Sequence, residues 1–100
     1  LDPEDKSAYY NRAIALGATS NSKGTGMGDD KKAIEDYTKA IELDPRFKSA
    51  YYNRGLAYKR LGENKKAIDD LNKAIELDPS NEKYIEELDD LLKAQKDVAN

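Results

Sequence analysis

Few side chains in this chain could carry chemistry, and their types narrow the options at once. There is no histidine and no cysteine among the 100 residues. Disulfides, thiolate nucleophiles and the usual zinc sites are thereby excluded. So is the side chain that most often serves as general base near neutral pH. The 20 carboxylates are interspersed with 17 Lys and Arg residues, and no carboxylate pair stands apart from ordinary surface charge. Two features remain. Gly24, Gly26 and Gly28 run into a helix start, an arrangement that can cradle a phosphate through backbone N–H groups. No strand precedes these glycines, the Lys-Ser/Thr of a phosphate loop is missing, and Asp29 and Asp30 repel anions. The stretch therefore reads as a surface insertion. Asn11 and Asn53 are the second feature, because a primary amide both donates and accepts and can pair with a peptide main chain.

The two asparagines occupy the same place in a repeated text. Lys6 to Arg12 returns unchanged as Lys48 to Arg54, Lys31-Lys32-Ala33-Ile34 returns as Lys65 to Ile68, and Lys39 to Pro45 returns as Lys73 to Pro79. From Pro45 to Pro79 is 34 residues, and from Pro3 to Pro45 is 42, so the first repeat carries eight more. Fixed-period self-similarity of this length signals stacked supersecondary units. Each unit reads as two helices. Tyr51, Arg54, Tyr58 and Leu61 recur at helical spacing, Gly62 breaks the helix, Ile68, Leu71, Ile75 and Leu77 form a second apolar stripe, and Asp78-Pro79 ends it. Ala13, Ala33, Ala40, Gly55, Ala67 and Ala74 are small where helices must approach closely. Helices are expected at 6–18, 29–43, 48–61, 64–77 and 82–97, with Asn81 as an N-cap. Thr19 to Gly28 is expected to be a loop, Met27-Gly28 matching the Leu61-Gly62 turn. Tyr51 is the expected central core aromatic. The repeated Lys, Asp and Glu residues of the second helices read as a solvated face.

This 34-residue unit resembles the tetratricopeptide repeat. The match rests on an early aromatic (Tyr9, Tyr51), a small residue four later (Ala13, Gly55), then a large apolar or aromatic one (Leu16, Tyr58). In the second helix it rests on Ala33 and Ala67, Tyr37 and Leu71, Ala40 and Ala74, and the closing Pro45 and Pro79. Arg12 and Arg54 stand where the family most often has leucine. The resemblance implies an all-α, right-handed superhelical array within a single domain. Repeat one would span 6–45 with the inserted loop 19–28, repeat two 48–79, and a capping helix 82–97, the alternative being the first half of a third repeat. Leu1-Asp2-Pro3 looks like the tail of a preceding repeat, so an upstream continuation is expected, and the uncapped N-terminal end offers a route to self-association.

The resemblance also implies a concave groove lined by first helices. It places there Ser7, Tyr10, Asn11 and Ile14, then Ser49, Tyr52, Asn53, Leu56, Lys59 and Arg60, with Lys83, Glu86, Glu87 and Asp90 from the last helix. First helices about 8–10 Å apart and an extended peptide rising about 3.3 Å per residue would let Asn11 and Asn53 grip backbone groups about three residues apart. One subfamily clamps acidic C-terminal tails of heat-shock chaperones. Asn53 and Lys83 match two clamp positions, but Tyr10 and Ile14 replace the expected lysine and asparagine, and Glu87 replaces the arginine. The implied function is a non-catalytic protein-interaction module with a protein or peptide partner and no cofactor. The alternatives are a structural or designed scaffold without a native ligand, or a non-catalytic module of a larger enzyme. A net charge of −3 without a basic face argues against nucleic acid, no apolar run is long enough to span a membrane, and absence of cysteine fits a cytoplasmic location.

Overall fold

The repeated text becomes five helices in a computed structural model of the chain: α1 (Lys6–Lys23), α2 (Met27–Leu43), α3 (Lys48–Arg60), α4 (Asn64–Leu77) and α5 (Glu82–Ala99). The structure describes the backbone of residues 3–23 and 27–99 and the side chains of residues 3–17 and 29–96. No strand occurs among the described residues. Each helix packs against the next in chain order, and α1 also touches α3. The result is an all-α repeat stack, 47 Å long and only 18 Å thick.

Local signals fix the helix ends. Asp5 accepts the Ala8 N–H at 3.1 Å, and Asn81 accepts the Tyr84 N–H at 3.3 Å, each satisfying a first-turn donor that has no partner inside its helix. Gly62 takes φ +80°, a left-handed conformation that a side chain disfavours. There the Glu63 N–H reaches Tyr58 O at 2.9 Å and the Gly62 N–H reaches Lys59 O at 3.0 Å, the paired closure that ends α3.

Repeat one departs from the expected turn. α1 runs on through Thr19 to Lys23, and Gly28 lies in the first turn of α2 instead of matching Gly62. Once a glycine no longer stops α1 at the equivalent point, its backbone hydrogen-bond ladder simply propagates, which is cheaper than nucleating a new structure. Gly24 and Gly26 of the glycine run lie outside the described residues.

The insertion leaves the repeat's internal pairings intact. Lys6 pairs with Asp44 across 38 residues in repeat one, and Lys48 with Asp78 across 30 in repeat two. Arg12 meets Asp36 across 24 residues and Arg54 meets Asp70 across 16. Both offsets are eight, so the insertion leaves the register of the helix pair unchanged.

The core is thin and built on alanine. Ala13, Ala33, Ala40, Ala50, Ala57, Ala67 and Ala74 are fully buried. At Gly55 a Cβ would stand 3.3 Å from Ala67 O and from Asp70 Cβ, so α3 and α4 meet almost backbone to backbone. Around these contacts Tyr52, Leu71, Tyr84 and Leu91 form one cluster and Tyr37 anchors the other. Tyr51 is not the central aromatic: it is half-buried at the rim, its hydroxyl donating to Pro45 O at 3.0 Å. Its neighbour Tyr52 is buried instead, stacked on Tyr84 of α5 with ring centroids 4.7 Å apart.

Candidate functional site

The first helix of each unit carries the polar residues singled out by sequence, and the structure brings a subset together. Asn53 on α3 donates from Nδ2 to Tyr10 OH of α1 at 3.0 Å and to its own helix's Ser49 O at 2.9 Å. Both amide protons are thereby engaged inside the fold. Among the described residues Oδ1 has no protein partner, and no fully buried side-chain polar atom is left unsatisfied, so this oxygen is at least partly open to solvent and available as an acceptor. Tyr10 is held in place by rings on two sides, Phe47 at 4.8 Å and Tyr37 at 5.9 Å. Burial, first among the causes, raises its hydroxyl pKa, so it stays neutral.

Other residues of the expected groove separate into free and committed groups. Ser7, Asn11 and Lys83 are exposed, Ile14 is exposed, and Ser49 is half-buried beside Asn53. Leu56 packs partly buried on the core of repeat two. Lys59 is tied to Glu87 of α5 at 2.7 Å. Arg60 reaches Asp30 of α2 with two nitrogens, at 3.0 and 2.9 Å. Tyr52 lies beneath this surface, in the stack with Tyr84.

Three acidic residues are buried, Asp30, Asp36 and Asp70, and the last two belong to the repeated set that sequence assigned to a solvated face. Each receives an arginine. Arg12 and Arg54 grip Asp36 and Asp70 through two parallel N–H bonds, all at 2.7 Å, a planar fork that guanidinium and carboxylate match by shape. The signal was present in the text, since an arginine in place of the family's leucine needs a carboxylate on the facing helix, and Asp36 and Asp70 share one repeat position.

Charge also marks the repeat ends. The Lys6 ammonium, with the Arg46 backbone, holds the Asp44 carboxyl below its usual pKa, and the Asn81 amide with Lys48 does the same for Asp78. A carboxyl depressed in the folded state stabilises it above the unfolded pKa, and that contribution disappears as pH falls through the folded pKa. Melting temperature should therefore hold from neutral pH down to about pH 4 and decline below it. Asp44→Asn with Asp78→Asn should flatten that decline; a parallel slope in the double variant would place the acid sensitivity elsewhere.

Among the described residues no group of acidic side chains could hold a metal ion, and no helix is long and apolar enough to cross a membrane.

Comparison with known proteins converges on one architecture. A family model described as "Tetratricopeptide repeat" matches residues 49–81, and one described as "TPR repeat" matches residues 27–62. Among solved structures, the first TPR of Spaghetti (RPAP3) bound to HSP90 peptide SRMEEVD is 26% identical with a TM-score of 0.82, over 95% of this chain and 69% of that one. Two structures of MamA are each 27% identical over 96% of this chain, with TM-scores of 0.78 and 0.77. The chain spans about half the length of those two, 52% and 48%. No curated protein sequence matches it.

Proposed function

Starting from the fact that the chain belongs to the tetratricopeptide repeat family, we propose that it is a protein-interaction module that takes an extended peptide along the face formed by α1, α3 and α5. The observation that carries this reading is Asn53. Its donors are spent on Tyr10 and Ser49, which locks the amide plane and leaves one preoriented acceptor for a ligand main-chain N–H. A side chain already immobilised loses little further entropy on binding. Exposed Asn11 offers the same amide one repeat away, and Ile14 supplies apolar surface beside it.

The peptide bound by the Spaghetti relative is acidic. This chain is poorly equipped for such a tail. Glu87 occupies the position of the clamp arginine and already neutralises Lys59 at 2.7 Å. The partner is therefore an extended segment read through its backbone and apolar side chains, and not a carboxylate terminus.

Asn53→Ala should cost about 1–3 kcal/mol of affinity, the usual consequence of leaving a hydrogen-bonding group of the complex unsatisfied. It should also cost the fold about 0.5–1.5 kcal/mol, because the bond to Tyr10 links α1 to α3. The test is calorimetric titration, well below the melting point of both proteins, with a peptide obtained by pull-down. Equal affinity of variant and parent would remove the concave face from consideration.

A further inference from the structure

α3 packs against both second helices, α2 and α4, and between their first halves the surface opens into a cleft of about 430 Å³. Both repeats build it. Its floor is apolar: Ile34 of α2, Tyr58 of α3 and Leu61 at the end of α3, all half-buried. Lys31 stands on the α2 wall and Lys66 on the α4 wall, both exposed, with Glu63 beside Lys66. Tyr58 follows Asn53 by five residues, about 140° round the helix, so the cleft faces away from the proposed peptide path. Two of its polar groups have no partner among the described residues, the Lys31 ammonium and the Tyr58 hydroxyl. Lys66 lies 5.5 Å from the centroid of the Tyr58 ring and 3.2 Å from Glu63. That ion pair is exposed on both sides and contributes little to the fold. Arg54, 5.9 Å from the same ring, is already spent on Asp70 and Thr38. Two ammonium groups therefore face one carboxylate across an apolar floor, a positive spot on a chain of net charge −3.

We infer that this cleft is a second docking site, for an extended acidic segment of a partner protein that inserts one large apolar side chain between two carboxylates. The floor takes the apolar side chain. The walls set the charge, because Lys31 and Lys66 repel a cation, whereas a carboxylate accepts from the Lys31 ammonium and the Tyr58 hydroxyl, and such charge-assisted bonds are the stronger kind. A second carboxylate takes the place of Glu63 as partner of Lys66. In an extended segment residues two apart point to the same side, about 7 Å from each other, so the acids belong two positions before and two positions after the apolar residue. A second copy of this chain is a poor occupant. Its α5 has the composition, but there the acids and leucines are fixed at helical spacing.

The probe is an end-capped peptide, Asp-Gly-Phe-Gly-Asp, titrated at low salt into the isotope-labelled 100-residue chain and followed by NMR. Saturable shifts are expected at Lys31, Ile34, Tyr58 and Lys66, with Asn11 and Asn53 unmoved. Replacing both aspartates of the peptide by asparagine, or its phenylalanine by alanine, should weaken binding at least fivefold, and the advantage of the aspartates should fade as salt rises. Lys31→Glu in the chain should weaken binding at least fivefold with an unchanged helical circular dichroism spectrum, and Lys66→Glu reads the other wall if that variant fails to fold. No saturable shift at millimolar peptide overturns the inference. So do equal binding of the neutral or the alanine peptide, binding that survives both lysine reversals, and shifts confined to the concave face. Phenylpropionate binding as tightly as the peptide would make the cleft a small-molecule site, and shifts that grow with chain concentration alone would make the occupant a second copy; either result overturns the inference too.

Discussion

Arg54→Ala should destabilise the protein by about 3–5 kcal/mol, the penalty for stranding one member of a buried ion pair. Asp70 is buried, with its side chain 7% exposed, and both carboxylate oxygens are bonded to the Arg54 fork at 2.7 Å. Removing the guanidinium leaves that carboxylate in a site that water reaches poorly, and it also frees Thr38, which Arg54 ties to the neighbouring unit at 3.1 Å. Arg12→Ala is the internal control. Asp36 is just as buried, but the Arg12 side chain is 53% exposed, so its removal opens the carboxylate to solvent. A loss of about 1–2 kcal/mol is expected, between the exposed and buried limits. Replacing Arg54 and Asp70 together by leucine should recover most of the stability, because an apolar pair needs no desolvation of charge. Urea denaturation of the four proteins, at matching slopes, makes the comparison. Equal losses for Arg54→Ala and Arg12→Ala would show that burial does not distinguish the two pairs.

The period, the helix pairing and the small-residue contacts were legible in the sequence because each is a local or repeating constraint. Gly62 stops α3 by its own backbone geometry, Asn81 caps α5 with its own side chain, and Ala13, Ala33, Ala40, Ala67 and Ala74 allow close approach wherever they fall. Boundaries of α3 and α4 accordingly match the expected ones to within a residue. What was not legible depended on which element lies opposite. Thr19 to Lys23 carry loop-prone residues, yet with no stop signal ahead of them they extend α1. Asp36 and Asp70 look like members of a charged face until Arg12 and Arg54 are placed across from them. The amide of Asn53 looks free to donate until Tyr10 is brought over from a helix 43 residues away. For the aspartates and for Asn53 the residue type was informative and its partner was not, since the partner is set by stacking.

Tyr52→Ala should cost about 3–5 kcal/mol, as expected for deleting a buried aromatic, and Tyr51→Ala clearly less, reversing the order that spacing alone suggests. Tyr51 is half-buried. It keeps one hydroxyl bond, to Pro45 O at 3.0 Å, and one guanidinium contact, Arg54 at 5.7 Å from its ring. Both involve groups that water can serve when the ring is gone, and the ring packs on the repeat-two cluster only from its partly buried edge, so the loss should stay at about 1–2 kcal/mol. Tyr52 is 9% exposed and shares one cluster with Leu71, Ala74, Tyr84 and Leu91. Its ring lies nearly parallel to that of Tyr84, at 28°, with centroids 4.7 Å apart, and such a pair contributes about 0.5–1.5 kcal/mol beyond the area it buries. The stack is also the main aromatic bond between repeat two and α5. Its loss should therefore appear first as release of α5, before global melting, because terminal helices of a stacked array open at lower free energy than central ones. Hydrogen exchange resolved by residue tests both parts. Amides of residues 84–92 should lose protection in Tyr52→Ala while those of α2 retain theirs, and thermal melts should rank Tyr52→Ala below Tyr51→Ala. A larger drop for Tyr51→Ala would mean that the rim tyrosine, not the Tyr52–Tyr84 stack, holds the last helix to the array.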